Sequence, residues 1–134
     1  MKKIISVIAL FFLFNSCTPD SGPNYTFEVL PVESVDIPTE FTLGETYLIT
    51  MHYKRPSTCH YFNGIYYDKN LNVRTVAVES AVEQRDNCQE LTNEMNTCSF
   101  NFTVTSNGSY IFKFYNGEDA DGNNTFLEYE VPVN

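Results

Sequence analysis

Between Phe100 and Tyr115 the chain alternates apolar and polar residues, pauses at Ser106-Asn107-Gly108-Ser109, and alternates again. Phe100, Phe102 and Val104 share one parity before the pause, and Tyr110, Phe112 and Phe114 share one after it. A period of two gathers such side chains on one face of extended backbone, which a helical period does not. Asn-Gly between two alternating runs is the strongest short-range hairpin signal, since both residues tolerate the positive φ of a tight turn. The stretch therefore predicts two antiparallel strands joined at Asn107-Gly108. It restricts the rest of the chain to the partners that strands can use.

From Tyr25 onward the sequence reads as further strands separated by turn residues. Phe27 to Ile37 is broken by Pro31 and closed by Pro38, the marks of an edge strand that bends or switches sheets. A turn follows at Gly44-Glu45, and Thr46 to Tyr53 then sets Tyr47, Ile49, Met51 and Tyr53 against Leu48, Thr50 and His52. His60 to Tyr67 is aromatic, with Gly64 predicting a bulge. Asp68-Lys69-Asn70 reads as a turn, Val73 to Glu79 as a returning strand, and Ser80 to Thr97 as a polar loop with room for a helical turn. Gly117 to Asn124 is a second turn before Leu127, Tyr129, Val131 and Val133 of the last strand. About seven strands with turns every eight to twelve residues resemble an all-β, antiparallel immunoglobulin-like β-sandwich. A small closed barrel is the alternative.

Ahead of these strands, Lys2 and Lys3 precede an apolar run from Ile4 to Phe14 broken only by Ser6, and Ser16 stands directly before Cys17. That layout is a secretory signal peptide, too short for a stable membrane-spanning helix. A small residue followed by cysteine resembles the lipobox of bacterial lipoproteins, in the looser form found in Bacteroidota. The resemblance implies cleavage of residues 1–16, diacylglycerol on the Cys17 thiol and acylation of the new amine. Residues 17–24 then form the lipidated cysteine and its tether, and residues 25–134 the β-sandwich domain. Thr18, rather than Asp, after the cysteine implies an outer-membrane destination. The tether, Thr18 to Asn24, reaches at most about 25 Å when extended.

The formal charge of −9 becomes −11 once Lys2 and Lys3 leave with the leader. Such a balance argues against nucleic acid and against docking on anionic lipid. The partners expected are the membrane, through the anchor, and an envelope protein or glycan. Export favours disulfides over metal sites for the remaining cysteines. If each strand reverses the last, Lys54 to Thr58, Glu83 to Thr97 and Gly117 to Asn124 fall at one end, together with the start of the first strand. Cys59, Cys88 and Cys98 become neighbours there. Cys98 shares the core parity of Phe100, Phe102 and Val104, so Cys59–Cys88 is the preferred bridge and Cys88–Cys98 the alternative. The preferred bridge closes a loop worth on the order of 3 kcal/mol.

Candidate chemistry is sparse. His52, Cys59, His60, Cys88 and Cys98 with Met51 offer soft-metal ligand types, but the last strands lack the His and Met that a copper sandwich clusters there. Glu118, Asp119, Asp121, Asn123 and Asn124 offer hard oxygens for calcium, and equally the residues a hairpin turn requires. Glu128 and Glu130 sit at period two, as solvent-side carboxylates do. No nucleophile setting, glycosidase pair or cofactor motif is present, so the expectation is a non-catalytic binding or structural module without a cofactor. Tyr53, Tyr61, Phe62, Tyr66, Tyr67 and Tyr115 exceed what one face of a small core buries. They make a sugar-stacking or protein-binding surface the alternative to an internal role.

Overall fold

The computed structural model describes residues 21–134, and Cys17 with its leader lies outside them. Those residues form eight strands and no helix: β1 (Tyr25–Leu30), β2 (Val32–Asp36), β3 (Thr46–Lys54), β4 (His60–Asn70), β5 (Val73–Glu83), β6 (Met95–Thr103), β7 (Tyr110–Glu118) and β8 (Asn124–Val131). Pro31 does what its position predicts. Without an N–H to continue a ladder, it hands the chain from one sheet to the other, so β1 pairs with β5 and β2 with β3. β2, β3 and β6 make a three-stranded sheet, and the other five strands make the second.

The second sheet is built around β5. β4 runs antiparallel along its whole length, with a bulge between Phe62 and Gly64 where Gly64 takes φ 143°. The opposite side of β5 is shared. β1 covers Val78 to Glu83 in antiparallel fashion, and β7 covers Val73 to Val76 in parallel. β8 completes the sheet against β7. The expected all-antiparallel arrangement of about seven strands is thus corrected to eight strands with one parallel pair.

The hairpin at Asn107-Gly108 is also corrected. β6 lies against β3 in one sheet and β7 against β5 and β8 in the other, so residues 104–109 arch between sheets. Alternation fixed which side chains turn inward but not which strand lies alongside. The Phe102 and Phe112 rings meet at 5.0 Å across the interior instead of standing side by side. The arch is held by the phenolic oxygen of Tyr110, which accepts the N–H groups of Thr105 and Ser106. Two smaller corrections follow. The β4–β5 turn falls at Leu71-Asn72, after Asp68-Lys69-Asn70, because those three residues continue β4. The expected loop from Ser80 starts later, since β5 runs on to Glu83, and it contains no helical turn.

Between the sheets lies one core. β3 contributes Ile49, Met51 and Tyr53, as its alternation predicts, and these face Val76, Val78, Phe112 and Phe114 from the larger sheet. Phe41, outside any strand, fills the centre within 5.3 Å of Phe102, and is fully buried. Burying each such ring contributes about 2 to 3 kcal/mol.

Candidate functional site

The larger sheet has a second face, turned away from the core, and there the alternation delivers aromatics again on the strands flanking β5. β1 presents Tyr25, Phe27 and Val29 outward, with Phe27 70 % exposed. Register places Phe27 opposite Ala81 of β5, and Ala81 opposite Tyr61 of β4. Tyr66 stands opposite Ala77 in the same way. The two alanines are buried although they face outward, because large neighbours rise on both sides. Small residues on the middle strand and aromatics on its flanks make a furrow. At one end Tyr25, Phe27 and Tyr61 enclose about 340 Å³. At the other, Val29, Tyr66, Tyr115 and Phe126 enclose about 630 Å³, with Glu79 and Glu118 at the margin. A depression bounded by Phe27, Asn63 and Glu79 joins the two.

The tyrosines singled out from sequence therefore divide. Tyr61, Tyr66 and Tyr115 line the furrow, whereas Tyr53 is in the core and Tyr67 packs edge-on against Phe100 at 5.7 Å. Phe62 sits at the bulge, half exposed. Tyr25, Phe27, Val29 and Phe126 complete the face. For the β1 members the signal in the sequence is the period of two through Tyr25-Thr26-Phe27-Glu28-Val29, which Pro31 obscures. Exposed rings flanked by carboxylates suit a neutral sugar, whose C–H faces stack on rings while its hydroxyls donate to acids.

At the end of the molecule where β1 begins, Cys59 and Cys88 form the expected disulfide, with Cα atoms 5.5 Å apart. Among the described residues Cys98 is the free thiol. It packs against the core, and burial pushes its pKa from 9.0 up to about 11. The metal-ligand types of the sequence do not converge. Two sulfurs are taken by the disulfide, His52 Nε2 lies 2.7 Å from Asp36, and His60 Nε2 lies 2.6 Å from Glu28. Among the described residues no three His, Cys, Asp or Glu side chains gather as a metal site.

One juxtaposition here was invisible in the sequence. Ser57 Oγ lies 2.7 Å from His60 Nδ1, whose other nitrogen meets Glu28, so serine, histidine and carboxylate stand in a line. A hydrolytic serine also requires free amides to receive the oxyanion. The N–H of Thr58 donates to Gln89, that of Cys59 to Ser57 Oγ and that of His60 to the Ser57 carbonyl. These bonds brace the turn that feeds Cys59 into its disulfide.

The acidic turn is similarly self-contained. Asp119 Oδ1 accepts the N–H groups of Asp121 and Asn123 at 2.9 Å each, and Oδ2 faces the Asn123 side chain at 3.4 Å. The Asn123 amide, ahead of the others, holds the Asp119 carboxyl below its ordinary value. Gly122, at φ 80°, closes the turn. Asp119, Asp121 and Asn123 are thus brought together, but around the carboxylate of Asp119 and not around a shared vacancy. No known protein family, curated protein or solved structure matches this chain.

Proposed function

We propose that this chain is a lipid-anchored, non-catalytic binding module of the bacterial cell envelope, and that the furrow on its larger sheet takes a neutral glycan. The observation that carries the binding reading is the pair of exposed rings Phe27 and Tyr61 flanking the buried Ala81, beside Tyr66 and Glu79. A face of this kind is costly to leave against water unless something covers it. The lipoprotein part rests on the leader and Cys17, with outer-membrane placement resting on Thr18. Tyr25 opens β1, so an anchor at Cys17 would hold the furrow's first ring close to the membrane. The immunoglobulin-like reading of the sandwich has one further support. Tyr110, at the start of β7, bonds back to the Thr105 and Ser106 amides as a tyrosine corner does. The parallel β5–β7 pair departs from that fold.

Two measurements test the proposal. Metabolic labelling with an alkynyl palmitate should mark the wild type and leave Cys17→Ser dark; equal labelling of both defeats the anchor. On an array of neutral glycans the protein should bind, and Tyr61→Ala with Tyr66→Ala should weaken that binding by about tenfold or more, a loss of about 1.4 kcal/mol or more. Binding indifferent to both substitutions, or capture of an envelope protein in place of any glycan, defeats the sugar reading.

A further inference from the structure

The described residues contain six cationic side chains, and four of them pair with carboxylates: Lys54 with Glu33, Arg55 with Glu94, Arg85 with Glu83 and Lys113 with Glu128. The remaining two, Lys69 and Arg74, pair with none, in a chain whose acids outnumber its bases by nine. Both line the same cleft, a space of about 460 Å³ between the flank of β4 and the unpaired edge of β6. Among the described residues no acidic side chain lines that cleft.

Arg74 is the more telling of the two. It is 3 % exposed and cannot shed its charge. Its guanidinium lies 5.0 Å from the Tyr110 ring and 5.9 Å from the Phe102 ring, and Nη1 donates to the carbonyls of Leu71 and Val73. Nε, itself buried, has no hydrogen-bond partner among the described residues. A buried guanidinium normally finds a carboxylate, because removing it from water without an anion is expensive. Here the guanidinium borders the cleft and is met by carbonyls, ring faces and the Tyr67 hydroxyl, but by no carboxylate. Lys69 stands at the exposed side of the same space as a second point charge. Ile65, Tyr67 and Phe100 give the cleft apolar walls suited to the face of a ring.

We propose that this cleft binds a small ring-bearing acid, with its carboxylate or sulfate held between Arg74 and Lys69 and its ring against Tyr67 and Phe100. The acidic remainder of the surface repels the same ligand, so binding is confined to this spot and weakens with salt. The site is separate from the furrow, which lies on the outer face of the larger sheet, and each can fail without the other.

The test is a titration of isotopically labelled full-length protein with glucuronate, glucose 6-sulfate and uncharged glucose, at fixed ionic strength, followed by amide NMR shifts. Both acids should produce saturable shifts around Tyr67, Lys69, Arg74 and Phe100, and glucose should produce none there. A response to only one acid identifies the carboxylate or the sulfate as the group recognised. Lys69→Gln, at an exposed position, should bind about tenfold more weakly, and Arg74→Lys, which keeps the charge and loses the fork, should lose at least as much. Should Arg74→Lys fail to fold, Lys69→Gln and the salt dependence decide the matter. Shifts from neither acid, equal shifts from glucose, or unchanged affinity in Lys69→Gln overturns the proposal and leaves Arg74 as a structural clamp on the β4–β5 turn.

Discussion

A thiol acts as an acid or as a small hydrophobe according to its surroundings, and Cys98 is held as the second. Burial puts its pKa near 11, so at neutral pH it carries its proton and is a poor nucleophile. Iodoacetamide at pH 8 should therefore modify it slowly in the folded protein and at the ordinary rate in urea. The same shift has a consequence for stability. Between the ordinary value of 9.0 and about 11 the folded protein keeps a proton that the unfolded chain has released, so stability falls as pH rises through that window. Urea unfolding at pH 9 and pH 10.5 should show the fall in the wild type and a smaller one in Cys98→Ala. An identical slope in both would assign the effect to Tyr53 and Tyr67, whose phenols burial also raises.

At the scale of elements, the β4–β5 turn carries the one positive φ outside glycine among the described residues. Leu71 sits at φ 53° and is 86 % exposed, so its side chain contributes little packing to offset the strain. The turn persists because its neighbours fix it: Arg74 Nη1 donates to the Leu71 carbonyl, Asn72 Nδ2 to the Ser109 carbonyl, and Ile111 N–H to the Asn72 carbonyl. Leu71→Gly should stabilise the domain by about 0.5 to 1 kcal/mol, read as a higher urea midpoint at unchanged slope. Those last two bonds also explain what the sequence conceals about topology. Alternation in Phe100–Val104 and Tyr110–Phe114 states which side chains face inward, and it is satisfied equally by a hairpin and by an arch. The choice is made by distant partners, β3 for β6 and the Asn72 end of β5 for β7, and no local pattern encodes those. Pro31 and Gly64, in contrast, act through their own backbones, and so both the sheet switch and the bulge were legible. The aromatic face was half legible: its β4 members stand out by composition, its β1 members only once the register with Ala81 is known. The Ser57–His60–Glu28 line and the Arg74 cleft join residues from separate strands and leave no trace in spacing.

For the molecule as a whole, the two sheets share one aromatic core, while the loop from Gln84 to Glu94 is held differently. It is fastened by Cys59–Cys88 and by backbone bonds from Thr58 to Gln89, Leu91 to Pro56 and Arg55 to Glu94. Cys88→Ser should lower unfolding free energy by about 3 kcal/mol, since the bridge closes a long loop in the unfolded chain. A loss below 1 kcal/mol in denaturant would show that the backbone bonds hold this loop unaided.

The division of the first strand at Pro31 has a mechanical side. Tyr25 lies at the disulfide end, and Asn134 bonds back to Phe41 and Leu43 at the opposite end, beside the start of β3. Tension applied between Tyr25 and Asn134 runs along the strand axes, and the β1–β5 hydrogen bonds lie across that direction, so they must give way together and not one after another. Behind them, on the other sheet, β2 repeats the arrangement against β3. A body tugged from its beginning would thus shear at two fronts before its interior opened.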